Sequence, residues 1–211
     1  MTSFTTATTD PFNFDLDRGD ADLDRRQTWI GNVVYVLPSF RKWGSFAHHA
    51  LGDWQLNGIV TYLGGVPIDV TSGANTAGLE AQSTQRPDLV PGVPIYLNNG
   101  INYLNPAAFR LPAEGHFGSL GRGVIRMPSR KNVDFSVNKN WRIGERYGVQ
   151  FRTEVFNLFN RVNYTGIESA DLGFINTASD ANFGHSTSSG FGRFNRDAGP
   201  REIQFGFKFT F

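Results

Sequence analysis

The sequence has no cysteine and almost no net charge. None of its 211 residues is cysteine, and 20 lysines and arginines nearly balance 19 aspartates and glutamates, for a formal net charge of +1. The absence of cysteine excludes disulfide bonds and thiolate metal sites. A nucleic-acid-binding surface needs basic residues clustered on one face, so we expect no nucleic-acid partner.

Long apolar runs are also missing. The longest, residues 33–38, is far shorter than the roughly 20 residues that a membrane-spanning helix requires. The first ten residues have neither the cationic start nor the apolar stretch of a secretory signal. Taken alone, this start predicts a cytoplasmic protein, and it predicts much less if the chain is a piece of a longer one.

Aromatic residues and glycine are abundant instead. There are 19 Phe, six Tyr, four Trp and 24 Gly, a composition typical of β-rich chains. The last eleven residues place an apolar side chain at every second position, and side chains two apart on a strand share one face. The apolar face carries Ile203, Phe205, Phe207, Phe209 and Phe211, and the opposite face carries Glu202, Gln204, Gly206, Lys208 and Thr210.

Four further segments are predicted as strands. We expect strands near residues 28–37, 53–63, 132–139, 146–156 and 201–211, with long loops over 64–131 and 157–200. The segment 28–37 is apolar on both faces, so its register stays unassigned. Alternation predicts a polar face that suits a water-filled lumen, carrying Gln150, Arg152, Glu154, Gln204 and Lys208.

Two environments fit the apolar face, lipid or a protein core. Long loops alternating with short turns are typical of outer-membrane barrels, and a strand of 11 residues is long enough to cross a bilayer at a tilt. A one-residue slip would turn Lys208 toward lipid at about 2–4 kcal/mol near the midplane, so the register is strongly fixed. The alternative is a soluble extracellular β-rich binding or adhesion module.

An ordered series of blocks resembles one family. The blocks are DLDRRQTWIGNVVYVLP, DWQLNGIVTYLGGVP, RPDLVPG, NPAAF, FGSLGRG, NVDFSVNKNWRIGER, FRTEVFNLFNRVNY and REIQFGFKFTF. Together, over about residues 10–211, they resemble the C-terminal part of the Oar-like TonB-dependent outer-membrane receptors of acidobacteria and their relatives.

The resemblance implies an all-β fold of antiparallel transmembrane strands. Members of that family have a 22-stranded barrel in the cell outer membrane, an N-terminal plug and a segment that engages TonB. This sequence shows no plug, no TonB-engaging segment and only five clear strands, so we expect a fragment of a larger barrel. The implied partners are outer-membrane lipid, the rest of the barrel and plug, the barrel-assembly machinery, and TonB only through the missing N-terminal region. The tail stripe from Ile203 to Phe211 resembles the signal that the assembly machinery recognises.

No constellation predicts catalysis, a cofactor or a metal site. The run Asp20-x-Asp22-x-Asp24 begins like a calcium loop, but Arg25 stands where that loop needs glycine, so we expect a solvated loop. His48 and His49 would face opposite ways on a strand, and His116 and His185 stand alone in loops. Glu145, Glu154 and Glu168 form no evident acid–base pair, so we expect no enzyme. Four aromatic residues near strand ends could form an interfacial girdle: Trp29, Trp54, Trp141 and Tyr147.

Overall fold

The computed structural model describes residues 8–78, 85–144, 146–168, 170 and 190–211, which form two compact units. The sheet unit comprises Arg26–Gly64, Ser129–Asn163 and Ala198–Phe211, and the loop unit comprises Met1–Arg25, Gly65–Pro128 and Tyr164–Asp197. Each is described separately below. Among the described residues, no helix has the length and apolar character needed to cross a membrane.

The sheet unit is one antiparallel sheet of five strands. Their bounds are β1 Thr28–Val36, β2 Trp54–Leu63, β9 Arg130–Ile143, β10 Tyr147–Phe156 and β13 Glu202–Thr210, and their order across the sheet is β1-β2-β9-β10-β13. Strands β1 and β13 are its two edges, and the sheet does not close on itself. Every strand has nine residues or more, so each is long enough to cross a bilayer at a tilt.

Two connections within the sheet unit differ from their predicted form. Residues 140–143, which lie between the strands predicted near 132–139 and 146–156, extend β9 to Ile143, so that only three residues, 144–146, separate it from β10. Gly144, at a φ of 63°, supplies the left-handed conformation that this tight turn needs. Between β1 and β2 the chain forms a short helix, α1, Ser45–Leu51. His48 and His49 therefore lie on a helix with their rings 5.1 Å apart, not on opposite faces of a strand.

The loop unit is built from short antiparallel strand pairs. They are β3 Pro67–Ile68 with β8 Ile125–Arg126, β4 Asp88–Leu89 with β7 Phe109–Arg110, β5 Tyr96–Asn99 with β6 Asn102–Leu104, and β11 Tyr164–Ile167 with β12 Phe194–Asp197. The two segments predicted as long loops thus contain eight short strands. Two parts of these segments lie outside the described residues, namely 79–84 and 171–189, and the second contains His185. Glu145 also lies outside them.

The apolar core lies in the loop unit. All ten buried apolar side chains of the described residues belong to it, namely Val70, Ala74, Tyr103, Leu104, Ala108, Phe109, Leu120, Ile125, Phe191 and Phe194. The rings of Tyr103 and Phe194 stack at 4.8 Å, and that of Phe194 stacks on Tyr164 at 3.8 Å. The first and the last of these ten residues, Val70 and Phe194, are 124 positions apart. The core therefore forms only when distant parts of the chain meet.

The acidic run near the N-terminus is ion-paired instead of being simply solvated. The carboxylates of Asp20 and Asp24 both accept hydrogen bonds from the Arg126 guanidinium, more than 100 positions later in the sequence. Asp17 pairs with the buried Arg86 at 3.3 Å. The acidic run that begins like a calcium loop therefore pairs with arginines, and these pairs tie the N-terminal segment to the rest of the loop unit.

Candidate functional site

One face of the five-stranded sheet is largely polar on β2, β9, β10 and β13 and gathers the polar residues predicted from the sequence, whereas β1 adds Ile30 and Val34 to it. Gln150 lies between Asn140 and Lys208, Glu154 between Ser136 and Gln204, and Arg152 between Asn138 and Gly206. The polar band continues onto β2, where Gln55 and Asn57 oppose Asn138 and Ser136. All five predicted residues, Gln150, Arg152, Glu154, Gln204 and Lys208, therefore share one face of the sheet.

Hydrogen bonds between side chains run along and across this polar face. Asn57 Nδ2 donates to Ser136 Oγ at 2.9 Å, and Gln150 Nε2 donates to Asn140 Oδ1 at 2.9 Å. Arg152 donates to Glu154, and Gln204 Nε2 donates to Glu202 at 2.6 Å. These side chains pair with one another while remaining partly or fully exposed, as expected of a polar face in contact with water.

The opposite face of the sheet is apolar and uncovered. It carries Trp29, Val33, Tyr35, Trp54, Leu56, Val60, Tyr62, Val133, Phe135, Val137, Trp141, Val149, Phe151, Val155, Ile203, Phe205, Phe207 and Phe209. None of these side chains is buried in the part of the chain that the structure describes. A face with this composition in water would be an unusually large exposed apolar patch.

The C-terminal stripe lies on the edge strand β13. Ile203, Phe205, Phe207 and Phe209 point to the apolar face and remain 51–77% exposed, and Phe211 follows the strand at 91%. Phe207 contacts Phe151 across the strand pair at 5.0 Å between ring centroids. The stripe is therefore held in register by β10 on one side and is open at the sheet edge on the other.

Aromatic residues cluster at the turn end of the apolar face. Trp54 and Trp141 approach at 6.3 Å, and their indole N–H groups donate to the carbonyls of Ala50 and His49 on α1 at 2.9 and 3.0 Å. Trp29 lies at the other end of the same face. All four aromatic residues of the predicted girdle, Trp29, Trp54, Trp141 and Tyr147, thus occupy strand ends on the apolar face.

Lys139 is a functional candidate that the sequence pattern did not reveal. Its side chain points to the apolar face but is buried, with Nζ donating to the carbonyl of Gly52. Nζ also lies 5.3 Å from the ring of Trp54 and 5.6 Å from that of Trp141. Contacts with two aromatic rings and a carbonyl oxygen stabilise the Lys139 ammonium group in an otherwise apolar environment. The signal available in the sequence was a lysine at an apolar position two residues before a tryptophan.

Asn157 organises the chain where β10 ends. Its Nδ2 donates to the carbonyls of Arg161 and Gly199 at 3.0 and 3.2 Å, and its Oδ1 accepts the Arg161 N–H at 2.9 Å. Its own N–H donates to Asp134 Oδ1 at 2.9 Å. The residue has a φ of 51°, a left-handed conformation that asparagine tolerates better than most residues. One side chain therefore fixes the turn that leaves the sheet.

Two ion-paired groups of the loop unit have shifted pKa values. Burial alone would raise the pKa of Asp17, but hydrogen bonds from Thr9 and the charge of Arg86 outweigh it, so the pKa lies below its ordinary value of 3.8. Hydrogen bonds to Asp24 and Asp20 raise the pKa of Arg126. Both shifts favour the charged forms, as in structural ion pairs. Within the described ranges, no group of three His, Asp or Glu side chains could hold a metal ion.

The comparison with protein families identifies the chain. A family model described as an outer membrane beta barrel domain matches residues 1–204. The chain belongs to the outer membrane β-barrel family. The comparisons with curated proteins and with solved structures gave no significant match. This outer membrane β-barrel domain is located in the outer membrane, and its antiparallel sheet, polar on one face and apolar on the other, is the pattern expected of barrel strands.

Proposed function

We propose that this outer membrane β-barrel domain is the C-terminal barrel portion of an Oar-like TonB-dependent receptor that binds or takes up a large substrate. The observation that carries the proposal is the open sheet with one polar and one uncovered apolar face. Long connections and short turns alternate along it, as in large outer-membrane barrels. The ordered sequence blocks noted above support the Oar-like assignment.

In this proposal each face of the sheet has its own solvent. The apolar face contacts membrane lipid, and the polar face, with Gln150, Arg152, Glu154, Gln204 and Lys208, lines an aqueous lumen. The chain performs no catalysis and needs no cofactor, because its role is to form part of the wall through which a substrate passes. The stripe of Ile203, Phe205, Phe207, Phe209 and Phe211 is the signal read by the barrel-assembly machinery.

The open edges of the sheet call for further strands. Strands β1 and β13 each expose one row of backbone N–H and C=O groups, and each such group left unpaired in hydrocarbon costs several kcal/mol. We infer that additional strands of the parent protein pair with both edges and complete a barrel of about 22 strands. A plug and a TonB-engaging segment would belong to the N-terminal part of that protein.

The test is the coding sequence upstream of the Met1 codon, followed by a binding assay on the full-length protein. We expect an in-frame continuation that encodes further alternating strands, a plug and a segment that cross-links to the periplasmic domain of TonB. An upstream frame without strands, or a full-length protein that shows no TonB cross-link under any substrate condition, would contradict the receptor assignment. The outer-membrane location would stand in either case.

A further inference from the structure

A cleft of about 500 Å³ opens at one end of the apolar face of the sheet. Two cross-strand rows form its floor, Trp29–Tyr62–Lys131 and Val60–Val133. The turn after β10 forms its side through Asn157, Phe159 and Arg161. This is the end at which the long connections leave the sheet, opposite the short β9–β10 turn.

The lining of the cleft combines apolar walls with two cations. Trp29 and Phe159 are 56% and 72% exposed, and together with Val60 they supply the apolar part of the lining. Lys131 and Arg161 supply two positive charges, and neither forms an ion pair with a carboxylate in the described part of the chain. Lys131 Nζ lies 5.7 Å from the ring of Tyr62. The cleft therefore has an excess of positive charge next to an apolar surface.

The cleft is preorganised by local contacts. The indole of Trp29 lies over Gly31, where a Cβ would come within 2.6 Å of the ring, so the glycine allows the ring to lie flat against the strand. The Asn157 side chain forms hydrogen bonds with both the backbone N–H and the backbone carbonyl of Arg161. The backbone of Lys131 donates to Asn163 Oδ1 at 2.9 Å. Side-chain hydrogen bonds thus fix the backbones of both Lys131 and Arg161.

We propose that this cleft binds a membrane lipid with a phosphate-bearing anionic headgroup. Acyl chains would lie against Trp29, Val60 and Phe159, and the phosphate would pair with Lys131 and Arg161. The inference rests on the proposed lipid contact of the apolar face. A free anion would use the cations and leave the apolar walls without a partner, while a zwitterionic lipid would leave the positive charge uncompensated. Charge complementarity and the apolar lining together select an anionic lipid.

Bromine-quenched tryptophan fluorescence tests this proposal. The full-length protein is reconstituted into zwitterionic bilayers with a small fraction of brominated phosphatidic acid or, separately, brominated phosphatidylcholine. The signal of Trp29 is taken as the difference between the wild type and Trp29→Phe, because the sequence has four tryptophans. At about 1 kcal/mol for each basic residue, two cations predict roughly 30-fold stronger apparent binding of the anionic quencher.

Charge-removing variants identify the binding residues. We expect the double variant Lys131→Gln/Arg161→Gln to lose the preference for the anionic quencher and each single variant to lose part of it. The matched control Arg142→Gln/Lys208→Gln removes two cations from the polar face and should keep the full preference. Lys131→Arg retains the charge and should also keep it, which shows that any loss in Lys131→Gln is not a folding defect.

The outcomes separate this inference from the proposed function. Equal quenching of Trp29 by both lipids would overturn the headgroup selectivity and leave lipid contact of the apolar face intact. Quenching by neither lipid would overturn the lipid site, because Trp29 at the strand end would then lie outside the bilayer, while lipid contact of the remaining apolar face is tested separately on β13. An anionic preference that survives in the double variant would show that Lys131 and Arg161 are not the binding residues, and would overturn the site as assigned.

Discussion

At the scale of single residues, a few polar side chains control the geometry of this domain. Asn157 fixes the turn after β10 through three side-chain hydrogen bonds. Arg126 gathers two carboxylates from the N-terminal run, and Lys139 is held between two indoles. Each of these residues has partners from distant parts of the sequence, so its role follows from the folded chain and not from its neighbours.

Replacing Asn157 should destabilise the sheet unit. Asn157→Ala removes three side-chain hydrogen bonds and forces a Cβ-bearing apolar residue into a left-handed conformation, so we expect a loss of about 2–4 kcal/mol. Asn157→Gly also loses the hydrogen bonds but accepts the positive φ, and should recover about 0.5–1 kcal/mol of that loss. Urea unfolding of the full-length protein in bilayers, followed by tryptophan fluorescence, measures both. A change below about 0.5 kcal/mol for the alanine variant would contradict the role given to Asn157.

Asp17 should make the loop unit sensitive to acid. Because its folded pKa lies below its ordinary value of 3.8, the carboxylate contributes stability that is fully present above the unfolded value and is lost as pH falls through the folded value. Hydrogen exchange around Arg86, corrected for the intrinsic rate, should therefore show protection at pH 5 that decreases toward pH 3. Asp17→Asn should lose much of this pH dependence, whereas Asp15→Asn, an exposed control, should retain it. Identical pH profiles for the wild type and Asp17→Asn would refute this assignment.

At the scale of elements, alternation places the long strands well and the short ones not at all. The segments expected near 132–139 and 201–211 lie in β9, which continues to Ile143, and in β13, which ends at Thr210. Nine or more residues give an alternating pattern enough repeats to stand out. Strands such as β3 and β4 have two residues each, which is too few for any period to appear.

The short strands and the apolar core of the loop unit were not predicted from the sequence, for a related reason. Its ten buried apolar residues are spread from Val70 to Phe194 without a local period, and the acidic run pairs with arginines more than 100 positions away. Proline-rich and glycine-rich segments then look like loops, although they share one apolar core. The polar and apolar faces of β2, β9, β10 and β13 were predictable because side chains of the two kinds alternate along each strand, whereas β1 is apolar on both faces and its register needed the structure. The cleft at the end of the sheet was not, because it needs the cross-strand register and the turn after β10 together.

The two faces of β13 should respond oppositely to an added charge. Phe207→Arg places a cation on the apolar face about halfway along β13, and near a bilayer midplane this costs about 2–4 kcal/mol. Gln204→Arg places the same charge on the polar face, where the neighbouring Glu154 can pair with it, and should change stability by less than about 1 kcal/mol. Urea unfolding of the reconstituted full-length protein measures both. Equal losses for the two variants would contradict the assignment of separate solvents to the two faces.

At the scale of the whole molecule, the sheet unit and the loop unit differ in how far their apolar side chains are buried by protein. The loop unit buries ten apolar side chains and pairs its charges, as a water-exposed globular unit does. In the sheet unit, none of the apolar side chains of the five strands is buried. In an outer membrane β-barrel domain, the bilayer supplies the apolar solvent that such a sheet needs. Stability of the sheet should accordingly depend on lipid, and that of the loop unit should not.

Site-directed spin labelling along β13 measures the solvent of each face most directly. The 211 residues contain no cysteine, so single cysteines at positions 203–209 of the full-length protein can each carry one label in a bilayer. We predict that collisions with oxygen, which partitions into lipid, are high at 203, 205, 207 and 209, and that collisions with a polar nickel complex are high at 204, 206 and 208. Uniform accessibility along the strand, or labels at the phenylalanine positions that neither reagent reaches, would contradict it.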